Sequence, residues 1–192
     1  HRGRRSGRRS RWRCRPARSF TPAVATSPDG TSADAQAAAA RRNLLGLVSE
    51  QSLYNLLVRD IELEVVPAAE HYGLGIIPWS PLQGGLLGGV IKEENTGGAA
   101  TWGRAAQSLA KHRDKIQAYE DLADEIGTEP GVLGLAWLLT RPAVAAPIIG
   151  PRTRDQLDSA LSAVELTLSP QHLDRLDEIF PGRKTAPEDY AW

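Results

Sequence analysis

The chain has 192 residues, a formal net charge of zero and 41% hydrophobic residues. This length allows one domain or slightly more, and the apolar fraction is enough to form a core, which excludes a wholly disordered chain. One cysteine, Cys14, excludes an internal disulfide framework and a cysteine-rich zinc site, and no apolar run reaches the roughly 18 residues that a membrane-spanning helix needs.

The charge is divided between two unlike segments. Residues 1–20 carry nine arginines and no acidic residue, whereas residues 21–192 carry 14 basic and 23 acidic residues. Residues 1–31 are rich in Arg, Ser, Gly and Pro and lack helical or strand periodicity, which predicts a disordered basic segment. The zero net charge is therefore the sum of a head of +9 and a body of −9.

Several interpretations of this head remain open. We favour a segment that is not native to the fold and was joined to it by a translation or gene-model error. A solvated tail, a transit peptide and a nucleic-acid-binding tail in which Trp12 stacks on a base are alternatives. Methionine is absent and His1 stands first, so we expect the chain to begin inside a larger coding region. We expect a cytoplasmic protein with no membrane or nucleic-acid partner.

Regular structure is predicted from Ser32 onward. An Ala-rich stretch over 32–42 predicts a helix, and the apolar residues 45–49 predict a short strand. Helical spacing over 60–72 predicts a second helix that ends at Gly73, and the pattern of 74–79 is typical of a buried strand.

The second half continues this alternation. A turn-rich loop at 80–85 and a long flexible loop at 92–104 precede a helix with apolar residues facing one way over 116–126. Pro130 fits the first position of an apolar, buried helix that runs to Leu139. Residues 145–149 predict a third strand.

Two further helices follow that strand. Thr153 and Gln156 have capping-box spacing, and the helix behind them carries an apolar face. The members of that face are Leu157, Ala160, Leu161 and Val164. Ser169-Pro170 opens a last helix with Leu173, Leu176 and Phe180 inward. Alternating strands and helices favour a parallel sheet, but three strands are too few for a closed barrel, which needs about 250 residues.

Three motifs, in order along the chain, resemble the C-terminal half of the aldo-keto reductases. They are QSLYNLL at 51–57, GLGIIPWSPLQGGLL at 73–87 and PIIGPRTRDQL at 147–157. The resemblance implies an α/β fold, an incomplete (β/α)₈ TIM barrel in which residues 32–192 supply strands six to eight and their helices. It also implies hydride transfer between NADPH and an aldehyde or ketone, without a metal.

The resemblance implies roles for residues at the strand ends. Gln51 matches a glutamine that binds the nicotinamide carboxamide, and Trp79 matches an aromatic residue that stacks on the nicotinamide ring. Ser80, Leu82 and Gly84 belong to a loop that resembles the one wrapping the pyrophosphate. The alternatives are an ordinary strand-end polar residue at position 51 and a core tryptophan at position 79.

The last motif implies the site of the adenosine 2′-phosphate. Gly150 and Arg152 precede a helix N-terminus, which favours a phosphate, and Gln156 and Ser159 match adenosine-contacting positions. The expected cofactor is therefore NADP(H), and the alternative is a plain capping box with solvated arginines. Two positions depart from the family: Ala160 replaces a frequent asparagine, and Gly88-Gly89-Val90 replaces a frequent Gly-Lys pair.

The family's catalytic Tyr, Lys, Asp and His come from the first half of the barrel, and nothing in this sequence matches them. We therefore predict no catalytic residue here and no activity of this chain alone. Exposed strand edges predict association with a complementary half or with another copy. The alternative function is a non-catalytic NADP-binding or interaction protein. His71, His112 and His172 are interpreted as solvated helix residues without metal spacing.

Overall fold

The computed structural model describes residues 23–25, 29–95 and 104–184. Ten elements occur in these ranges besides two short 3-10 turns. In chain order they are β1 Ala23–Ala25, α1 Asp29–Ala40, β2 Ser49–Leu53, α2 Val65–Tyr72, β3 Gly75–Trp79, α3 Val90–Asn95, α4 Arg104–Ile126, α5 Pro130–Leu139, α6 Arg154–Ser162 and α7 Pro170–Ile179. This is a mixed α/β fold in which strands and helices alternate in the first half.

The strands form a parallel sheet in the order β1-β2-β3. The segment expected to be a third strand, 145–149, runs beside β3 but forms only part of a ladder. Val144 bridges Ile76 in parallel, and the Ile148 amide donates to the Pro78 carbonyl oxygen at 2.7 Å. Pro147 interrupts the ladder because proline has no amide hydrogen to donate.

Regular structure begins earlier than residue 32. β1 pairs with β2, and α1 begins at Asp29, so both elements extend into the segment 1–31 that was expected to be disordered. Three residues with a short apolar pattern carry too little periodicity to be recognised as a strand. The Arg-rich residues 1–22, to which the expectation of disorder mainly applies, lie outside the described residues.

The first predicted strand was misplaced. The apolar residues 45–49 are mostly irregular, and the strand runs over Ser49–Leu53 instead. Gly46 has φ +79°, which breaks an extended backbone, and Leu45 is 71% exposed. As a result Gln51 lies in the middle of β2, not after its end.

Other boundaries differ less. The helix expected over 60–72 is a 3-10 turn, Asp60–Glu62, followed by α2, which Gly73 ends with φ +68°. Residues 92–95, expected within a loop, belong to α3, and 96–103 lie outside the described residues. α5 starts with Pro130 and is buried over most of its length, and Ser169 caps α7, as predicted.

The core lies mainly among α3, α4, α5 and α7. Trp137 of α5 is fully buried at its centre and meets the ring of Tyr54 edge-on, with centroids 5.4 Å apart. Ile116 and Leu122 of α4 and Leu176 of α7 are buried against it, as their spacing predicted. The core therefore fixes the loop after β2, which carries Tyr54, against the helices.

Candidate functional site

The carboxyl ends of the strands lie at one edge of the sheet. In the parallel register Gln51 is opposite Ile77 and Leu53 is opposite Trp79. Ile148 bonds to Pro78, so the segment that leads to Gly150 leaves the sheet at this same edge. In barrels and open sheets of parallel strands, this edge is where ligands bind.

One face of the sheet is covered by helices and the other is half open. Residues 50, 52, 76 and 78 are buried, whereas the alternate residues 49, 51, 53, 75 and 77 are half-buried. Trp79, on this second face, is 36% exposed, while Trp137 is fully buried. Trp79 therefore shares the half-open face with Gln51.

A tightly bent loop, Ser80–Gly85, follows Trp79. Its backbone has positive φ at Ser80 (51°), Gln83 (49°), Gly84 (64°) and Gly85 (98°). A Cβ added to either glycine would meet nothing within 4 Å, so their backbones are open to an approaching group. The absence of side chains at Gly84 and Gly85 leaves room for a ligand to approach this part of the backbone.

Leu82 has an additional role in this loop. Its side chain is half-buried and packs against the core, close to Gly131 and Gly134 of α5. Its carbonyl oxygen accepts from the amides of Gly85 at 2.9 Å and Leu87 at 3.2 Å. Leu82 therefore anchors the loop to α5, and we expect any contact it makes with a ligand to come from its backbone.

The turn before α6 is exposed and well formed. Thr153 Oγ1 accepts from the Gln156 amide at 3.2 Å, which caps the helix as predicted. The reciprocal bond of a capping box is replaced, because Gln156 Oε1 accepts from the amide of Arg152 at 2.8 Å. The amides of Arg152 and Gln156 are thus both bonded inside the turn, while Gly150 and the Arg152 side chain are exposed.

Ser159 lies one turn further along α6 and is half-buried. Its hydroxyl donates a short hydrogen bond to Glu129, the residue that precedes α5. This bond joins the two helices, so an adenosine contact from Ser159 requires the hydroxyl to be shared. Ala160, where the family often has an asparagine, is half-buried and packs on the core.

Sequence reasoning missed a buried polar group beside the edge. Tyr54 donates to Glu62 Oε1 at 2.7 Å, and Arg59 Nε bonds the same oxygen at 2.8 Å. Burial and then the Glu62 charge raise the pKa of the Tyr54 hydroxyl. Burial lowers the pKa of Arg59, but bonds to Glu62 and Asp177 outweigh it and raise the pKa overall. The motif at 51–57 contains Tyr54. The sequence signal for its bonding to Arg59 and Glu62 is that these residues follow it by five and eight positions.

The histidines also differ in part from their interpretation. His172 takes part in a capping box, accepting weakly from the Ser169 amide at 3.4 Å. The pKa of His112 is lowered, mainly by burial and also by the positive charges of Lys111 and Lys115. Within the described residues no cluster of three or more His, Cys, Asp or Glu side chains has metal-binding geometry. None of the helices in those residues is both long and apolar enough to cross a membrane.

Comparison with known proteins identifies the family. The model of the aldo/keto reductase family matches residues 23–180, and the chain therefore belongs to this family. The match begins at the first residue of β1, in agreement with the earlier start of regular structure. Members of this family use a nicotinamide cofactor.

Curated relatives point the same way. The chain is 46% identical over 159 residues to an uncharacterized oxidoreductase, YrpG, of Bacillus subtilis (strain 168), covering 82% of this chain and 48% of that protein. It is 31% identical to versiconal hemiacetal acetate reductase of Aspergillus parasiticus, over 73% of this chain and 42% of the relative. It is 33% identical to a putative voltage-gated potassium channel subunit beta of Schizosaccharomyces pombe, over 73% of this chain and 44% of that relative. The chain thus spans about half the length of these relatives.

The residues present fit a nicotinamide dinucleotide. Trp79 and Gln51 lie on a half-open face, the glycine loop follows Trp79, and Arg152 stands exposed at the third segment of the same edge. An aromatic surface, an amide, a bent loop and a guanidinium are the groups that a nicotinamide, a pyrophosphate and a terminal phosphate need.

Proposed function

We propose that this chain supplies the cofactor-holding half of an NADP-dependent aldo-keto reductase. The reaction is hydride transfer between NADPH and an aldehyde or ketone. The observation that carries the proposal is the placement of four features on the carboxyl side of the sheet. Trp79, the loop Ser80–Gly85 and the turn before α6 lie at the edge, and Gln51 lies on the same half-open face, opposite Ile77. Family membership supports it.

Each feature has a separate task in this proposal. The Gln51 amide offers a donor and an acceptor to the nicotinamide carboxamide, and Trp79 covers one ring face. The pyrophosphate is surrounded by the backbone of the loop Ser80–Gly85. The bound cofactor supplies the hydride, and these residues hold it and limit its orientation.

A preference for NADP over NAD is attributed to Arg152. Its guanidinium is exposed before α6, where a planar fork can bind a phosphate with two hydrogen bonds. The helix N-terminus adds favourable electrostatics for an anion. Gln156 contributes by fixing the Arg152 backbone, through its bond to the Arg152 amide.

Reduction of a carbonyl also needs a proton donor beside the carbonyl oxygen. Among the described residues, Tyr54 and Tyr119 are buried, and Tyr72 lies on α2, before the opposite end of β3. The Tyr54 hydroxyl is engaged by Glu62, and the Tyr119 hydroxyl donates to the Pro130 carbonyl oxygen. The two buried hydroxyls are thus already bonded inside the fold, which supports our proposal that this chain alone does not turn over a substrate.

We further propose that a complementary half of the barrel covers the open face. β1 forms one edge of the sheet, and the other is the segment 144–148, which lies beside β3. Apolar side chains elsewhere are also exposed, among them Leu161 at 52% and Val164 at 72%, on the face predicted to point inward. Parallel sheets are normally covered on both faces, so this surface favours a partner with matching strands.

A second candidate is a non-catalytic NADP-binding or interaction protein. The relative named as a potassium channel subunit beta favours it, because that name describes association with a channel. A stable complex that binds NADPH but does not oxidise it would distinguish this function from the first.

The test mixes the chain with the first half of the Bacillus subtilis relative. NADPH oxidation in the presence of an aldehyde is followed for each half alone and for the mixture. The proposal predicts turnover only in the mixture, and turnover that is lost when Trp79 and Arg152 are both replaced by alanine. Turnover by the chain alone would show that it contains its own proton donor.

A further inference from the structure

We propose that Asn55 is a positioning residue that holds the loop Ser80–Gly85 in its ligand-receiving conformation. The expected effect on NADPH binding rests on the proposed function, whereas the effect on the loop conformation can be tested without a ligand. Asn55 follows β2 and is separated from the loop by α2 and β3.

The Asn55 side chain is fully buried and uses all of its bonding capacity. Its Nδ2 donates to the Ser80 carbonyl oxygen at 3.0 Å and to Gln83 Oε1 at 2.9 Å. Its Oδ1 accepts from the amides of Leu57 and Val58, each at 3.0 Å. Two donors and two acceptors are all that an asparagine amide offers, so the side chain has one well-defined orientation.

The two loop residues that Asn55 contacts are also the strained ones. Ser80 and Gln83 are the loop's non-glycine residues with positive φ, at 51° and 49°. Side chains other than glycine rarely adopt this conformation, and it persists where surrounding contacts hold it. Asn55 bonds to both residues at once, so it offsets the strain at the points where the loop would otherwise relax.

This tie has a direct consequence for the candidate site. Ser80 follows Trp79, and Gln83 precedes the two glycines whose backbones are open to a ligand. Holding Ser80 fixes the direction in which the chain leaves the tryptophan. The bond to the Gln83 side chain restrains the residue that directly precedes Gly84 and Gly85. Asn55 thus sets the loop without reaching the ligand.

Two variants separate the donor bonds from simple packing. Asn55→Asp preserves the shape and the acceptor for Leu57 and Val58, but places an oxygen against the Ser80 carbonyl oxygen. Gln83→Ala removes only one bond at a half-buried position and leaves the rest of the fold intact. Asn43→Asp is the matched control, because Asn43 also has positive φ (52°) but is exposed and far along the chain from the loop.

The experiment is hydrogen exchange on the complete chain, with NADPH titration in parallel. Both test variants should accelerate exchange of the Leu86, Leu87 and Gly88 amides, which bond within the loop, by about tenfold or more. The exchange rates of the α5 amides should be unchanged in both variants. In Asn43→Asp, exchange should change only in the turn that contains residue 43. NADPH affinity should fall by about tenfold, while adenosine 2′,5′-bisphosphate, which needs only the turn before α6, should bind as before.

Hydrogen exchange tests the positioning role of Asn55, and ligand titration tests the proposed function. Unchanged loop exchange in both variants, or acceleration shared equally by α5, would overturn the positioning role. If the loop responds but the unchanged chain binds neither NADPH nor the bisphosphate, the positioning role stands and the proposed function fails.

Discussion

Arg59 and Asp177 form an ion pair between residues that are 118 positions apart, with Arg59 Nη1 at 2.5 Å from Asp177 Oδ1. Arg59 is 8% exposed, lies over the Trp137 ring at 5.0 Å and also donates to the Phe180 carbonyl oxygen at 2.8 Å. The loop that follows β2, and with it Asn55, is therefore tied to α7 at the other end of the described chain. Support for the candidate site comes from sequence-distant parts of the fold.

Arg59→Ala should destabilise the protein strongly. It removes a buried cation and leaves the Glu62 carboxylate without its positively charged partner, and breaking a buried ion pair in this way typically costs about 3–5 kcal/mol. Asp177→Ala should cost about 1 kcal/mol or less, because the Asp177 side chain is 47% exposed. Chemical unfolding measures both. Arg154→Ala, at an exposed arginine, is the control, and equal losses in all three variants would contradict the account.

Stability should fall steeply above pH 10. Burial is the main reason that the pKa values of Tyr54 and Tyr119 are raised from the ordinary value of 10.0. Above that pH the unfolded chain loses protons that the folded chain keeps, so rising pH favours unfolding. Each tyrosine contributes a slope of about 1.4 kcal/mol per pH unit.

The free energy of unfolding, measured between pH 9 and 11 (roughly one unit on either side of the ordinary tyrosine value), checks this expectation. Tyr54→Phe should remove about half of the tyrosine contribution to the slope. Tyr72→Phe, at an exposed position, should retain the slope of the unchanged chain. An identical slope in Tyr54→Phe would show that Tyr54 does not hold its proton in the folded state.

Trp79→Ala should weaken NADPH binding by about two- to tenfold, since stacking on an aromatic ring contributes about 0.5–1.5 kcal/mol. Trp79→Phe should retain most of the affinity because it keeps a flat ring. The melting temperature should fall in Trp79→Ala, since most of the residue is buried, and should change less in Trp79→Phe. An unchanged affinity in Trp79→Ala would place the nicotinamide elsewhere.

Arg152→Ala should reduce the affinity for NADPH by about tenfold or more and leave the affinity for NADH nearly unchanged. Arg154→Ala provides a matched control, because Arg154 is also exposed but faces Asp158, with Nε and Oδ2 3.8 Å apart. Titration with each cofactor measures the ratio of the NADPH affinity to the NADH affinity. A parallel loss for NADPH and NADH would argue against contact with the 2′-phosphate.

The sequence predicted elements whose signals are local. Pro130 and Ser169 start helices, Gly73 ends one, and the apolar residues before Trp79 form a strand, because each signal lies within a few residues of its effect. β2 was misplaced because its residues Ser49–Ser52 are polar and carry no strand pattern.

Non-local features were the ones that sequence reasoning missed. The bonds of Asn55 reach 25 and 28 positions along the chain, and no local pattern reveals them. Leu161 of α6 and Val164, two residues beyond its end, have the helical spacing of a buried surface but are exposed. Spacing predicts which residues share a face, whereas the partner of that face depends on the rest of the fold.

The proposed function is tested most directly by titrating NADPH into the purified chain, with and without the first half of the Bacillus subtilis relative. We predict weak, saturable binding to the chain alone and a clear increase in affinity when the complementary half is added. Absence of saturable binding in both conditions would contradict the assignment of the cofactor edge. Equally tight binding by a monomeric chain in both conditions would contradict the need for a second half.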